Sequence, residues 1–392
     1  MTCDARGRIV LRALPVIGKW NQAMRILVAM SGGVDSSVVA ARLVDEGHEV
    51  IGATLQLYDS RESTKKGACC AGRDIHDARR VADRLGIPHY VIDAERRFHD
   101  SVIGTFADAY AAGETPVPCV ACNQGVKFTD LLGMARDLGV DAMATGHYVR
   151  RVDGPDGVEM HRPVDAGRDQ SWFLFATTRD QLDFLRFPLG DMPDKAAVRA
   201  EAERFGLAVA GKPDSQDLCF VTDGSYAGLV EKLRPDVTGA GEIVDRSGHV
   251  VGQHEGVTRY TVGQSKRLGN AAMQHGERQM VVGIEPASKR VVIGPRAQAV
   301  ARTLMLRNMN WLVPPPGPEG LRCAVQIRAR EAARPATVWQ APDNGARVEL
   351  DEGAVPAPGQ ACVMYDGTRV LGGGFIRRVD AVQAGSEGKA AS

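Results

Sequence analysis

No stretch of this sequence supplies the roughly 18 consecutive apolar residues that a membrane-spanning helix needs, which excludes a helical span. A secretory leader is lacking too. The first 22 residues scatter Arg6, Arg8, Arg12 and Lys19 among apolar residues instead of gathering an apolar core. Residues 1–22 are therefore expected to be a loose N-terminal extension of a cytoplasmic protein that touches no membrane. Net charge is missing as well, since 48 Lys and Arg balance 48 Asp and Glu. A polyanionic partner would have to be met by basic residues gathered on one face. The candidates are Arg150-Arg151, Lys195 with Arg199, Lys266-Arg267 and Arg328 with Arg330. Cysteine is sparse: Cys3, Cys69, Cys70, Cys119, Cys122, Cys219, Cys323 and Cys362 are all that 392 residues contain. That is too few for a disulfide framework, so the thiols are left to metal or catalytic chemistry. No internal repeat is present.

A chain of 392 residues exceeds what one hydrophobic core holds together, so two or three domains are expected. Its 44% apolar and 24% charged residues are the balance of a globular protein. Residues 24–30 read as a short buried strand before a Gly-rich turn. Helical spacing follows over 36–46, a second strand over 49–57, a helix over 74–85 closed by Gly86, and a third strand over 89–92. A helix over 126–138 and a strand over 141–145 continue the alternation, which predicts an α/β domain over 23–222 with a doubly wound parallel sheet. Beyond 222 the texture turns to short alternating runs, as in 241–253 and 279–293. Residues 223–297 are expected to form a small linking domain. After the Pro/Gly punctuation at 313–320, strands predicted over 323–328, 336–340, 346–350, 361–365 and 370–376 make 298–380 a C-terminal β-barrel. Residues 381–392 are small and polar, an expected disordered tail.

The strongest chemical signal is Ser31-Gly32-Gly33-Val34-Asp35-Ser36-Ser37 between a strand and a helix. Glycines let backbone approach a ligand closely, serines offer hydroxyls, and a helix start offers unpaired N–H groups at a positive dipole end. Those features make a pyrophosphate cradle. No Gly-Lys-Ser/Thr closes it, so it is not a Walker A loop. Asp35 inside an anion site makes chemical sense as a ligand of Mg²⁺ bridging the phosphates.

The string resembles the PP-loop of the ATP pyrophosphatase superfamily, whose fold is similar to an adenine-nucleotide α-hydrolase. The loop alone does not choose among superfamily members. Thr115-Pro116-Val117-Pro118-Cys119-Val120-Ala121-Cys122-Asn123-Gln124 does, because it resembles the catalytic-cysteine segment of bacterial tRNA 2-thiouridylases. Asp214-Ser215-Gln216-Asp217-Leu218-Cys219-Phe220-Val221 resembles that family's second-cysteine segment. Thr145-Gly146-His147-Tyr148, Asp169-Gln170-Ser171-Trp172, Arg259-Tyr260-Thr261-Val262-Gly263-Gln264 with Leu268-Gly269, and Pro358-Gly359-Gln360 extend the resemblance in order from about residue 24 to 376.

The resemblance implies ATP-dependent 2-thiolation of uridine 34 in tRNAs for Lys, Glu and Gln. It implies an ATP site at Ala29, Met30, Ser31, Gly32, Gly33, Val34, Asp35 and Ser36, with Leu55 and Gly146. Cys122 is the implied nucleophile and Cys219 the implied persulfide carrier, the two ending as a disulfide. An upstream persulfide donor protein and a reductant are implied partners. Val117, Pro118, Cys119, His147, Arg168, Asp169, Gln170, Arg328, Ala329 and Gln360 fall where the family touches tRNA. Two departures stand out. Many relatives carry Asp where this chain has Cys119, and the family usually has an aromatic residue where it has Ala329. A dipole argument adds that Cys122 lies near the start of the helix expected after it, which favours thiolate. An iron–sulfur cluster on Cys119, Cys122 and Cys219 is a chemical alternative. Zinc on Cys119-x-x-Cys122 is disfavoured because Cys69-Cys70 are adjacent, a poor spacing for completing one site. An amide-forming synthetase of the same superfamily is the rival activity. It would need a glutamine-hydrolysing domain or an ammonia route, and no amidotransferase cysteine motif is visible.

Overall fold

A computed structural model describes residues 2–3, 9–10, 22–58, 71–214, 219–221 and 226–377. The expected N-terminal extension lies mostly, and Cys69, Cys70, residues 215–218 and the tail 381–392 wholly, outside them.

The first unit is a parallel sheet with helices on both faces. Its strands are β1 (Arg25–Ala29), β2 (Glu49–Gln56), β3 (His89–Asp93), β4 (Ala142–Thr145) and β7 (Leu185–Arg186). They lie in the order β3-β2-β1-β4-β7, every pairing parallel. The chain crosses the sheet because alternate side chains of one strand feed different cores. From β1, Ile26, Val28 and Met30 enter one core with helices α1 (Val34–Asp45), α2 (Ala71–Leu85) and α5 (Lys195–Arg204). Leu27, with Ile51 and Met143, enters the other. That second face carries α3 (Pro118–Cys122), a wide-turn segment Asn123–Leu131 and α4 (Leu132–Asp137), one continuous helical run. The topology reverses between β1 and β4, and ligands of open α/β sheets bind at such switch points.

The run 118–137 corrects the expected helix over 126–138. Val117 is the N-cap and Pro118 the first helical residue, a position where the missing N–H costs nothing. Cys119 therefore sits in the first turn and Cys122 a full turn in, which reverses the order assumed by the dipole argument.

Helix α6 (Tyr226–Leu233) leads to a small sheet of β8 (Gly241–Val244), β9 (Val250–His254), β10 (Glu277–Glu285) and β11 (Arg290–Pro295). The last unit is a closed six-stranded barrel: β12 (Ala301–Trp311), β13 (Leu321–Gln326), β14 (Arg334–Ala341), β15 (Gly345–Ala354), β16 (Ala361–Asp366) and β17 (Arg369–Ile376). Pairing runs β12-β15-β14-β13-β16-β17, and β17 closes on β12. Strand β12 escapes periodicity reading for a local reason. Asn308 takes φ 52° and the register shifts between Arg307 and Asn310, so apolar parity flips from Leu304 and Leu306 to Met309.

Barrel and sheet share a core. Cys362 and Met364 of β16 point into the barrel, whereas Ala361, Val363 and Tyr365 join the cluster that covers the sheet's α3–α4 face. A hairpin of β5 (Arg150–Gly154) and β6 (Gly157–His161) reaches from the first unit to pair with β17 through His161 and Arg369.

Candidate active site at the end of the parallel sheet

The turn after β1 is built for close approach. Gly32 takes φ 72°, and a Cβ there would lie 2.2 Å from the backbone oxygen of Asp74. An Ala at 32 would meet both the steric cost of left-handed backbone, about 1–2 kcal/mol, and that clash. Gly33 caps α1 without a side-chain hydrogen bond, leaving the helix start to an incoming acceptor. Ser36 Oγ receives the Ser31 N–H at 3.1 Å and lies 3.2 Å from Ser31 Oγ, which folds the loop over its own helix. Gly146, just past β4, presses on the same turn: a Cβ there would lie 2.9 Å from Ser36 N. The two segments expected at ATP thus meet.

Other expected nucleotide residues act through packing. Met30 and Val34 bury their side chains under α1, and Met30 donates its N–H to Ala53 O and accepts from Thr54 Oγ1. Leu55 lies on the opposite face of the sheet, lining a cavity of about 230 Å³ with Ile92, Val126 and Met134.

Asp35 is enclosed by a network that the sequence does not announce. It accepts from Tyr148 Oη at 2.6 Å and from Lys195 Nζ at 2.6 and 2.8 Å. Lys195 also meets Asp214 at 2.8 Å, and Asp214 accepts from Arg168 Nη1 at 2.6 Å. Burial works to raise the Asp214 pKa, but the Lys195 and Arg168 hydrogen bonds outweigh it and hold the carboxylate below its usual range. Lys212 anchors the loop from the other side, donating to Gly32 O at 2.9 Å and to Asp74 and Asp77. Lys195 and Arg199 therefore leave the set of basic surface candidates: Arg199 donates to Ala210 O and Lys212 O. Arg150 and Arg151 leave it as well, paired with Asp191, Asp153 and Asp183.

The cysteine end is apolar. Cys122 is buried among Ala94, Phe98, Val102, Phe106, Tyr110, Val126 and Phe220. Phe220 sits edge-on to Phe98 and Phe106, so the segment carrying Cys219 is pinned by its neighbour into the cage that holds Cys122. Both residues, with Cys119, Cys323 and Cys362, are thiols rather than cystines. Cys119 is exposed, and desolvation by nearby protein raises its pKa, opposed by Lys127 and reinforced by Cys122. Half-buried His147 packs edge-on to Phe128 and contacts Thr145 Oγ1 through Nδ1 at 2.9 Å. Desolvation, aided by Lys127, lowers its pKa to about 3, so the ring is neutral and cannot serve as a phosphate cation. Lys127 makes no ion pair with any described residue.

Several of the expected tRNA-contact residues are already engaged within the protein. Asp169 has both oxygens occupied, one by Arg162 and one by the Ser171 N–H. Gln170 Oε1 accepts from Tyr148 N, and Gln360 Nε2 donates to Thr115 O at 2.9 Å. That last bond ties the barrel to the loop bearing Val117, Pro118 and Cys119. Arg328 lies just beyond β13 instead of inside a strand, donating to Val355 O, with half-buried Ala329 beside it. Trp172 is core, its Nε1 donating to Gln326 O, while Cys323 and Cys362 are buried barrel thiols.

The site fits a nucleotide. Magnesium would find Asp35 there, with Asp214 across the shared lysine. That suits an ion carried by phosphates better than a cage made of protein ligands. Among the described residues no three His, Cys, Asp or Glu side chains converge as metal ligands, Cys119, Cys122 and Cys219 included. No helix among the described residues is long and apolar enough to cross a membrane.

Comparison with known proteins follows these divisions. Residues 24–223 match the family described as the tRNA methyl transferase HUP domain, 230–295 its PRC-barrel domain, and 301–376 the aminomethyltransferase β-barrel domain. The chain is 72% identical over 362 residues to the tRNA-specific 2-thiouridylase MnmA of Gluconobacter oxydans, covering 91% of this chain and 100% of that one. It is 62% identical over 354 residues to the protein of the same name from Acidiphilium cryptum, covering 90% and 100%. Among solved structures the likeness is slight: a 4-thiouridine synthetase in complex with RNA and ATP aligns at TM-score 0.35 and 16% identity, over 54% of this chain and 50% of that one.

Proposed function

The chain belongs to the tRNA-specific 2-thiouridylase family, and from that premise we propose that it thiolates C2 of the wobble uridine 34 in tRNAs for Lys, Glu and Gln. The observation that carries the proposal is the convergence of two distant cysteine segments on one apolar cage, through Cys122 and Phe220, in a chain whose first strand ends in a glycine loop with an uncapped helix start.

ATP supplies a leaving group: the uridine C2 oxygen bonds to the α-phosphorus, the bond between α and β phosphates breaks with release of pyrophosphate, and the poor leaving oxygen becomes that of AMP. The helix start at Gly33 to Ser36 and the Lys195–Asp35 pair receive the phosphates, with Asp35 the residue for Mg²⁺. The outer sulfur of a Cys219 persulfide attacks C2 and AMP departs. Cys122 thiolate then attacks Cys219 Sγ, the Sγ–S bond breaks, and its electron pair stays with the sulfur on C2 as the thiocarbonyl. A Cys122–Cys219 disulfide remains, and two electrons from an external reductant reset it. A separate persulfide donor protein reloads Cys219, and the cytoplasm supplies the reducing setting. The target base must leave its stack to reach both ends of the site. Val117 to Cys119, His147, Arg168 and Arg328-Ala329 line its approach, His147 as a neutral hydrogen-bonding and packing group. The apolar cage suits this chemistry because it keeps water from the activated carbonyl.

The test is mass analysis of nucleosides from tRNA incubated with the protein, ATP and a sulfur donor. A gain of one sulfur for one oxygen at a single uridine is expected. Unmodified tRNA with ATP turned over would overturn the proposal and favour an amide-forming synthetase.

A further inference from the structure

Two segments proposed to touch RNA, 168–170 on the α/β unit and 328–329 on the barrel, are far apart in sequence yet joined through two polar side chains, half-buried Arg162 and buried Gln326. Arg162, at the end of the hairpin, donates through Nη1 to Asp169 and through Nη2 to Gln326 Oε1 at 2.8 Å. Gln326, the last residue of β13 and only 4% exposed, donates from Nε2 to the backbone oxygens of Arg328 and Ala329, each at 3.0 Å. The Arg162 guanidinium lies 3.7 Å over the Tyr365 ring, and Tyr365 Oη meets Ser171 Oγ at 3.1 Å. Trp172 completes the circuit by donating to Gln326 O at 3.1 Å.

Both Nη groups of Arg162 and both amide atoms of Gln326 are spent on other parts of the protein, and the hub spans the boundary between two units. A planar, forked cation is the side chain suited to hold two acceptors at a fixed angle while stacking on a ring. An amide that accepts from that fork and donates to two successive carbonyls fixes the backbone at which the barrel chain leaves β13.

We propose that Arg162 and Gln326 are positioning residues that set the spacing between Arg168 and Arg328-Ala329, so that both segments engage one RNA together. The proposal rests on the reading of the chain as a tRNA-binding enzyme. Neither residue touches RNA. Their effect on binding runs through Arg168, whose neighbour Asp169 they hold.

The experiment uses full-length protein and unmodified substrate tRNA, with Gln326→Met as the variant of similar shape and Arg162→Lys as a second that keeps the charge and loses the fork. Tight binding is measured across a salt series, alongside ATP affinity. The expected result is an RNA affinity weaker by about tenfold and a salt slope smaller by about one, the loss of one phosphate contact, with ATP affinity unchanged. Adding Arg168→Ala to either variant is expected to weaken binding little further, because that contact is already lost. A buried residue with a merely structural role would not change the salt slope. Wild-type affinity and slope in both variants would overturn the proposal, as would a parallel fall in ATP affinity. Wild-type protein without affinity for tRNA would sink the functional reading itself, and the positioning role with it.

Discussion

The two ends of the site are built by opposite means. Around Asp35 the groups are charged and mutually satisfied: Lys195, Tyr148, Asp214 and Arg168 form one chain of short bonds. Around Cys122 the walls are apolar and largely aromatic, with Phe98, Phe106, Tyr110 and Phe220 beside Ala94, Val102 and Val126, and the chain of ion pairs has no counterpart there among the described residues. Under the proposed function the first end works by exchange, since incoming phosphates and their cation would have to take over bonds the protein now makes to itself. Under the proposed function the second works by exclusion, because a sulfur transfer to an activated carbonyl competes with water. On the proposed function, charge belongs to nucleotide binding and dryness to the cysteine step, and each can be attacked separately.

The largest effect is expected at the dry end. Cys122→Ser and Cys219→Ser should each abolish thiolation, while Cys119→Ser, at an exposed position with a raised pKa, should keep substantial activity. Peptide mapping after turnover without reductant should find Cys122 joined to Cys219. Loss of activity in Cys119→Ser together with iron in the purified protein would replace this scheme with a cluster mechanism and erase the contrast between the two ends.

At the charged end Asp35→Asn should fold normally and lose thiolation by roughly a hundredfold or more, the scale of removing a preorganised charge from a transition state. Lys195 then faces Asp214 alone, so ATP affinity should fall in the same variant. Wild-type turnover would show that the network is structural. Truncating the barrel is not a usable control for this division. Ala361, Val363 and Tyr365 belong to the core that covers the sheet, and their loss would expose it.

A smaller effect separates the ends by pH. His147 has its folded pKa lowered to about 3, chiefly by desolvation and then by Lys127. The unfolded chain therefore takes up a proton near pH 6.5 that the folded protein refuses. The stability this group contributes is full above about pH 6.5 and declines as pH falls toward the folded value. His147→Gln should flatten the acid limb of thermal stability measured between those limits. An identical limb in variant and wild type would mean that the ring is not held neutral.

Much of this architecture was legible before any coordinates. The strand–loop–helix at 24–46 and the parallel alternation follow from side-chain period and glycine placement, and the fold agrees with them. The cysteine-bearing segments were legible by resemblance. The partners of Asp35 were not. Lys195 opens an unremarkable helix far along the chain, and only the crossing of the sheet brings it to β1. Arg162 and Gln326 were invisible for the same reason, each an isolated polar residue whose meaning lies across a unit boundary. The misplacement of Cys122 relative to its helix start came from expecting the helix to begin after it, when Pro118 is itself the first residue of the helix.

The smallest expected effect concerns Ala329, where the family usually places an aromatic residue. Stacking of a base on an aromatic ring contributes about 1–3 kcal/mol, and Ala329 forgoes it. Its backbone oxygen is held by Gln326, so the direction in which a longer side chain leaves the chain is fixed. Part of that position already packs against the shared core, which limits how much of a ring would reach a base. Ala329→Tyr is therefore expected to tighten tRNA binding by about 1 kcal/mol, the low end of that range and somewhat under tenfold. The salt slope should not move, because a stacking contact releases no counterions. Ala329→Leu supplies apolar area without a π face and should gain less. Equal gains in the two variants would assign the effect to packing against the barrel, and no gain in either would place position 329 away from the base.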